Sequence, residues 1–454
     1  MPREHFGSRL GFILLSAGCA IGIGNVWKFP YMTGQYGGGA FVLLYLFFLV
    51  IMGIPVMAME FALGRASQKS PVRLYQALKP QPGLWSVHGY AAMAGNYLLM
   101  MFYTTVAGWM LRYFVSTAAG RFNGMSPEQV GEQFGTICSD PVSMVIFMGA
   151  VVIVGFFICS FSLQKGLERV TKYMMIALLV IMLVLAVNSF TMAGAKEGLT
   201  FYLRPDLSKM EEIGIGNVIV GAMNQAFFTL SIGIGSMAIF GSYIGKERAL
   251  MGESINVVVL DTFVAIVSGL IIFPACFTHG VEVNSGPDLI FKTLPNIFNN
   301  MPLGRVWGSL FFVFMSFAAM STVLAVFENI ISCCMDVSGW SRKKACLING
   351  AAMVILSLPC ALGFNLLSGI EPLGAGTNIM DLEDFLVSNI LLPLGSVVYI
   401  LFCTSRAGWS WNNFIAEANT GRGIKVPNWI RGYATYVLPV IMVIIFIIGI
   451  IPYF

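Results

Sequence analysis

Residues 16–30 hold the groups with the clearest potential for chemistry in this sequence. The run Ser-Ala-Gly-Cys-Ala-Ile-Gly-Ile-Gly-Asn-Val-Trp-Lys-Phe-Pro lies within a long apolar segment, yet it contains three glycines, an amide at Asn25 and a cation at Lys28. Glycines weaken a helix and Pro30 kinks or ends it, so we expect a broken helix. In hydrocarbon the freed N–H and C=O groups need partners, and a bound ion or small zwitterion would supply them.

The composition is that of a polytopic membrane protein. Of the 454 residues, 57% are hydrophobic and only 11% are charged, whereas a soluble protein carries about 25% charged residues. The formal charge of +4 gives no support to nucleic-acid binding, and no separate signal peptide is visible. The nine cysteines show neither zinc nor disulfide spacing, and we expect them and the methionines to pack between helices.

The hydrophobic pattern predicts an all-α fold with eleven transmembrane helices, each judged against the roughly 20 apolar residues needed to cross a bilayer. The predicted spans are 10–33, 41–63, 89–117, 142–160, 166–190, 215–242, 247–277, 305–335, 344–362, 379–404 and 430–452. With the N-terminus inside, 18 of the 26 basic residues lie in inner segments. The positive-inside rule then predicts a cytoplasmic N-terminus, an extracellular C-terminus and outward loops at 118–141, 191–214 and 278–304.

A second interruption is expected in the sixth span. The stretch Phe-Phe-Thr-Leu-Ser-Ile-Gly-Ile-Gly at 227–235 again places small and hydroxyl residues inside an apolar helix. Membrane glycines taken singly often serve close helix packing, but paired interruptions in corresponding helices indicate the binding site of a transporter. We expect one transmembrane domain over 1–454, with inverted repeats at about 10–190 and 215–404 and an extra helix at about 430–452.

Several motifs together resemble the neurotransmitter:sodium symporter family over essentially the whole chain. They are Arg9-Leu-Gly-Phe, Gly22-Ile-Gly-Asn-Val-Trp-Lys-Phe-Pro30, Gly37-Gly-Gly-Ala-Phe41, Gly53-Ile-Pro55, Glu60, Gly64-Arg65 and Phe227-Phe-Thr-Leu-Ser231. The sequence is similar to the bacterial eleven-helix amino-acid transporters of that family. The resemblance implies a LeuT-like 5+5 inverted repeat with helices 1 and 6 broken, and sodium-coupled import by alternating access in the cell membrane.

The resemblance also implies a substrate site between spans 1, 3, 6 and 8. The amides of Ile23 and Gly24 would bind the substrate carboxylate at a half-helix N-terminus, assisted by the Tyr103 hydroxyl. Taken alone, a buried tyrosine more often has a structural role, and the spacing of Tyr103 from Leu99 in the matching span is what favours the functional one. The apolar wall without a counter-charge favours hydrophobic or aromatic L-amino acids. The implied substrate residues are Cys19, Ala20, Ile23, Gly24, Leu99, Tyr103, Phe228, Thr229, Ser231, Ile234, Thr322 and Val326.

Two sodium sites built from oxygen ligands, as a hard cation requires, are implied in the same way. The first, which also contacts the substrate carboxylate, comprises Ala20, Asn25, Thr229 and Asp261. The second comprises Gly18, Ile21, Ala318, Ser321 and Thr322. A Ser-Thr pair in a helix also commonly bonds to its own backbone.

Asp261 stands where many members of the family have asparagine. Inserting an Asp at the middle of a membrane helix costs about 2.5–3.5 kcal/mol on insertion scales, so burial without a partner is not expected. Animal members balance positive charge near this point with chloride. A fixed carboxylate supplies that charge itself, so we expect no chloride to be required; protonation of Asp261 in the empty state would add proton antiport.

The family pattern implies two gates. Outside, Lys28 would pair with Asp384, where Lys in place of the usual Arg lacks the bidentate geometry. Inside, Arg3 would pair with Asp336 beside Tyr243. Bacterial relatives often carry a Gly-x9-Pro pattern in span 5. Here the residue ten positions after Gly166 is Ile176 instead of proline, which puts helix unwinding by that route in doubt.

No catalytic constellation or phosphate-binding loop is recognisable, so we expect a transporter that is not an enzyme, with a small-molecule substrate and lipid as its partners. Alternatives remain open at this level: the same fold with another small zwitterionic substrate, or a membrane sensor or channel that does not concentrate substrate. The sequence leaves the preferred amino acid, the ion stoichiometry and the oligomeric state undetermined.

Overall fold

The computed structural model describes residues 4–81, 83–280, 289–299 and 301–451. Within these ranges the chain is almost entirely helical, and nine unbroken helices are long and apolar enough to cross a membrane. We number spans 2–5 and 7–11 from these nine. Their bounds are Gly39–Ser67, Trp85–Ala118, Pro141–Cys159, Gln164–Phe190, Leu250–His279, Gly304–Ser338, Arg342–Leu362, Ile379–Thr404 and Ile430–Ile450.

The two remaining spans are the interrupted ones. Span 1 consists of Arg9–Ala20 and Gly24–Gln35, which meet at an angle of 56°. Span 6 consists of Ile215–Thr229 and Ser236–Gly241, separated by six residues that are not helical. The all-α fold and both predicted breaks are therefore confirmed, and the eleven predicted spans fall within a few residues of these helices.

Short helices occupy the connections that the hydrophobic pattern leaves as loops. Pro127–Ser139 begins at Ser126, whose hydroxyl and Gln129 form a reciprocal capping box. The others are Pro71–Leu78, Ala195–Leu203, Leu207–Ile213, Leu294–Asn299 and Trp411–Ala418. All of them have 13 residues or fewer, too few to cross a bilayer, so a search for membrane spans does not detect them.

Span 3 and span 8 form the scaffold on which the broken helices rest. Span 8 packs along span 3 and against the first half of span 1, and its residues 321–334 are all buried. Span 5 starts with a π-helical turn at Gln164–Glu168 and continues as a regular helix to Phe190, through Ile176. A helix buried all round lacks a polar face, so the few polar groups on spans 3 and 8 point to specific partners.

Candidate functional site

The break in span 1 exposes backbone groups to side chains of spans 3 and 8. Ile21 leaves the helical conformation with φ −70° and ψ 90°, and the amide of Ile23 donates to the Tyr103 hydroxyl at 2.9 Å. A Cβ on Gly22 would lie 2.3 Å from the Tyr103 hydroxyl oxygen and 2.6 Å from the Thr322 hydroxyl oxygen. Only glycine allows this approach, so the break leaves a polar backbone facing two hydroxyl groups.

The break in span 6 depends on residues with left-handed backbone conformation. Ser231, Gly233 and Gly235 have φ values of 51°, 106° and 78°. The Gly233 amide donates to Glu60 Oε1 at 2.5 Å, and Glu60 is completely buried on span 2. Two further buried polar side chains hold the adjacent carbonyl.

The carbonyl of Ile234 accepts from two buried amide side chains. Asn96 Nδ2 on span 3 donates to it at 2.9 Å, and Asn329 Nδ2 on span 8 donates at 3.3 Å. Asn329 also donates to Asn96 Oδ1 at 3.1 Å. The motifs quoted above do not include these asparagines, although an amide inside an apolar span is the signal that would have found them.

A small cavity lies between the two breaks, and its volume is about 20 Å³ in this conformation. That volume holds about one water molecule, so an amino acid requires the walls to separate. The lining residues are Cys19, Ala20, Gly22, Gly24, Leu99, Tyr103, Phe228, Thr229, Ser231, Ile234, Thr322 and Leu392.

Ten of the twelve residues predicted to contact substrate are among that lining. Ile23 reaches the cavity through its amide bond to Tyr103. Val326 is fully buried on span 8 and is not part of the lining. Leu392 lines the cavity from span 10, a contribution that no motif indicates.

Asp261 of span 7 is fully buried between the two broken helices. Its Oδ1 accepts from Asn25 Nδ2 at 2.8 Å, and its Oδ2 accepts from the Thr229 hydroxyl at 3.3 Å. Three of the four residues predicted for the first sodium are thus in direct contact, and the fourth, Ala20, lies in the cavity wall. Carboxylate, amide and hydroxyl oxygens suit a hard cation.

All five residues predicted for the second sodium site meet where span 8 crosses the first half of span 1. Ser321 donates to the carbonyl of Ile21 at 3.1 Å and to that of Ala318 at 2.8 Å. Thr322 donates to the carbonyl of Gly18 at 3.3 Å. The Ser321 and Thr322 hydroxyls bond across to the other helix, so the pair is not simply bonded to its own backbone.

The outer gate differs from the expectation. The Lys28 ammonium lies 3.7 Å from the centroid of the Phe228 ring, and Asp384 Oδ1 accepts from the Ser388 hydroxyl at 2.6 Å. Among the described residues Lys28 and Asp384 do not form an ion pair. Phe228 offers the cation a face directly over the cavity, so the predicted pair is replaced in this conformation by a cation–π contact.

The predicted inner gate is only partly within the described residues, because Arg3 lies outside them. Asp336 Oδ2 accepts from the Ser70 amide at 2.7 Å. The Tyr243 hydroxyl donates to Glu328 Oε1 at 2.6 Å, and Arg342 binds both oxygens of Glu328 at 2.7 Å. Tyr243 is therefore bound to the buried Glu328, which is paired with the partly buried Arg342; sequence reasoning did not detect this ion pair.

The N-terminal segment is also fastened to span 5. Glu168 Oε2 accepts from the Gly7 amide at 2.8 Å, and its Oε1 accepts from the Ser8 hydroxyl at 3.0 Å. A Cβ on Gly11 would lie 1.9 Å from Glu168 Oε1. The first half of span 1 is thus tied to the start of span 5 by a carboxylate that no motif identifies.

Comparison with known proteins places this architecture in a family. Residues 3–126 and 132–454 match the model of the sodium:neurotransmitter symporter family. The chain is 32% identical over 457 residues to an uncharacterized sodium-dependent transporter, YhdH, of Bacillus subtilis (strain 168), covering 99% of this chain and 98% of that protein. It is 25% identical to the sodium-dependent serotonin transporter of Drosophila melanogaster, covering 99% and 77%.

A solved structure shows the same fold. The crystal structure of MhsT in complex with L-phenylalanine is similar with a TM-score of 0.88 and 35% identity, covering 98% of this chain and 100% of that one. MhsT has the LeuT fold, which agrees with the two breaks described above. The chain therefore belongs to the sodium:neurotransmitter symporter family, a family of multi-pass, sodium-dependent secondary transporters rather than enzymes.

Proposed function

We propose that this transporter imports hydrophobic and aromatic L-amino acids together with sodium, by alternating access and without chloride. The observation that carries the proposal is the cavity between the two breaks, where backbone polar groups of span 1 face a wall of Leu99, Phe228 and Ile234. The polar end suits the carboxylate and ammonium of an amino acid, and the apolar end suits its side chain. The structure of MhsT with L-phenylalanine supports a substrate of that class.

In this proposal the substrate carboxylate takes over the hydrogen bonds that now lie inside the protein. The Ile23 amide, now bonded to the Tyr103 hydroxyl, would donate to the carboxylate with the amide of Gly24. The Tyr103 hydroxyl would then donate to the same group. A half-helix begins at Gly24, so its N-terminal dipole favours the anion.

Sodium is transported cargo at two sites. The first uses Ala20, Asn25, Thr229 and Asp261, and the second uses the carbonyls of Gly18, Ile21 and Ala318 with the hydroxyls of Ser321 and Thr322. The hydroxyls now donate to carbonyl oxygens; with an ion present, hydroxyl and carbonyl oxygens both turn their lone pairs to it. The first ion also contacts the substrate carboxylate, which couples the two.

Asp261 supplies the negative charge that makes chloride unnecessary. The carboxylate is completely buried, its hydrogen bonds come from the neutral Asn25 and Thr229, and it forms no ion pair within the described ranges. A buried charge without an opposite charge is costly, and a sodium ion at the first site removes that cost. Ion binding and the carboxylate therefore stabilise each other.

We also propose the topology. The excess of basic residues at one end of the bundle places the N-terminus in the cytoplasm and, with eleven spans, the C-terminus outside. The repeats at about 10–190 and 215–404 would be the two halves of opposite topology, and the last helix, at about 430–452, would stand outside that pair.

The experiment is uptake of radiolabelled phenylalanine, tryptophan and leucine into proteoliposomes under an inward sodium gradient. We expect concentrative uptake, its loss when potassium replaces sodium, and no change when gluconate replaces chloride. Asp261→Asn is expected to lower uptake in gluconate and to recover part of it in chloride, because chloride can then supply the negative charge that the substitution removes.

Each failure has a distinct meaning. Uptake that ignores sodium contradicts the coupling, and loss of wild-type uptake in gluconate contradicts the role of Asp261. Uptake of taurine or γ-aminobutyrate instead of the three amino acids identifies another zwitterion as substrate; the taurine transporter of Rattus norvegicus is 24% identical to this chain. Binding without accumulation identifies a sensor.

A further inference from the structure

Glu383 of span 10 is a buried carboxyl group that the proposed transport cycle does not use. Glu383 is 3% exposed, and neither of its carboxyl oxygens has a hydrogen-bond partner in the described part of the chain. The other acids of that turn are engaged: Asp381 accepts from the Asn378 amide at 2.8 Å, and Asp384 accepts from the Ser388 hydroxyl at 2.6 Å. Glu383 alone faces inward.

The surroundings of Glu383 are neutral. Two groups face it: the thiol of Cys360 from span 9, and beside that thiol the Thr105 hydroxyl of span 3, which is itself buried without a partner in the described ranges. A thiol is a weak donor and stabilises a carboxylate poorly. The nearby charges on its own helix, Asp381 and Asp384, have the same sign as a carboxylate.

In the described part of the chain no cation compensates this carboxyl group. Within the described ranges Glu383 makes no ion pair, and the Lys28 ammonium is occupied by the Phe228 ring. Burying an ionised carboxylate without a counter-charge is strongly unfavourable, so the protonated form is favoured here.

Glu383 lies where outward opening must separate helices. The segment Ile379–Phe385, which holds Glu383 and its neighbour Asp384, packs against span 3 and the end of span 9. The same end of span 9 lies beside the helix Pro127–Ser139, because Asn365 Nδ2 donates to the carbonyl of Cys138 at 2.8 Å. That end of span 9 is on the outer face in the proposed topology. Parting these helices would give Glu383 the water that it now lacks.

We propose that Glu383 is a proton-binding site of the outer gate. It holds a proton while spans 3, 9 and 10 are packed together, and it releases that proton to the external solution when they part. Closure takes the proton back from the same side, so no net proton crosses the membrane. Because closure binds a proton, external acid favours the closed form and external alkali opposes it. The proposal rests on alternating access and adds external pH as a regulator.

Sodium fits the Glu383 site less well than a proton does. The groups that face Glu383 include the sulfur of Cys360, whereas a hard cation selects oxygen ligands. Thr105 offers one hydroxyl oxygen. A proton needs no ligand shell beyond the carboxyl group itself.

A direct test needs no substrate. Infrared difference spectra of purified protein, recorded between about pH 6 and about pH 9, report the carbonyl stretch of protonated carboxylic acids. We expect Glu383→Gln to remove one such band that the wild type shows, while Glu371→Gln, at an exposed acid on the same face, leaves the spectrum unchanged. An unchanged band in Glu383→Gln overturns the proposal, as does loss of one equivalent of bound radioactive sodium in that variant.

Uptake provides the second readout. Wild-type uptake should fall several-fold as external pH rises over that range, and Glu383→Gln, which mimics the protonated group, should flatten the profile; Glu371→Gln should keep it. A pH profile of Glu383→Gln identical to the wild type contradicts the gating role. If the infrared band disappears but no uptake of any amino acid is found, the proton site stands and the proposed function fails.

Discussion

The breaks in spans 1 and 6 solve the same problem with different partners. In span 1 the freed groups bond to Tyr103, Ser321 and Thr322, which are the side chains proposed to contact substrate and sodium. In span 6 they bond to Glu60, Asn96 and Asn329, none of which lines the cavity. Exchangeable partners hold one break, and permanent partners hold the other.

This difference separates binding from stability. In the proposed cycle, substrate and sodium replace the partners of span 1, so its break changes during transport. The partners of span 6 lie behind the helix and satisfy its backbone whether or not a ligand is present. Damage to span 6 should therefore reduce the folded population, whereas damage around span 1 should reduce affinity in a protein that still folds.

The largest effect is expected from Gly233→Ala. The residue has φ 106°, and a Cβ would lie 2.2 Å from the carbonyl oxygen of Leu392, a backbone atom that cannot rotate away. Left-handed strain alone costs about 1–3 kcal/mol, and the clash adds to it. We expect little folded protein, measured as the monodisperse fraction in detergent by size-exclusion chromatography and as the melting temperature.

Gly339→Ala is the matched control for that substitution. Gly339 ends span 8 with φ 66°, but a Cβ there would meet nothing within 4 Å. It therefore carries the backbone strain without the clash and should cost about 1 kcal/mol. Equal loss of folded protein in both variants would show that strain, not the close approach of span 10, fixes the break.

Tyr103→Phe should affect the other break and leave folding intact. The substitution removes the hydroxyl that accepts from Ile23 and that is proposed to bind the substrate carboxylate. A hydrogen bond to a charged group contributes about 1.5–3 kcal/mol, so affinity should fall about 10- to 100-fold, measured by scintillation proximity binding of phenylalanine in sodium.

Tyr202→Phe serves as its control. The Tyr202 hydroxyl donates to the carbonyl of Ile266 at 3.0 Å, and Tyr202 is not part of the cavity lining. Its loss should lower the melting temperature slightly and leave affinity unchanged. If Tyr103→Phe lowers the melting temperature as Tyr202→Phe does but keeps full affinity, Tyr103 is a structural residue and the assignment of span 1 as the exchangeable break is wrong.

The sequence was sufficient to locate both breaks because glycine, proline and polar residues clustered inside an apolar span weaken its helix and need partners there. Asp261 and the Ser321–Thr322 pair were indicated by the resemblance to the family; of these, only the carboxyl group inside an apolar helix is unusual by its chemistry alone. The sequence could not indicate Leu392, because an apolar residue in an apolar span looks the same whether it faces a cavity, lipid or another helix.

Contacts between distant segments were also beyond the sequence. Glu328 and Arg342 are 14 positions apart on different helices, and Glu168 meets residues 7 and 8 at separations of 161 and 160 positions. Arg342 and Glu168 are charged residues at the starts of their spans, where such side chains are common. Glu328 lies inside span 8, where a carboxyl group indicates that a partner exists but not which residue it is. The Lys28–Asp384 pair is the opposite case, a contact that was expected and is not formed in this conformation. The Lys28 ammonium lies over the ring of Phe228 instead.

The smallest effect, and the finest test of the comparison, comes from the apolar wall. Ile234 follows directly on Gly233, its carbonyl is held from behind by Asn96, and its side chain lines the cavity. Ile234→Phe fills space without touching the backbone partners, so the folded fraction should stay near wild type. The ratio of tryptophan to leucine affinity should fall about 10-fold, within the roughly 1–3 kcal/mol by which an apolar pocket discriminates.

Leu99→Ala enlarges the cavity from the span 3 side and should raise that ratio. If both variants change the ratio in the same direction, or if Ile234→Phe mainly loses folded protein, side chains of the span 6 break do not act independently of its backbone.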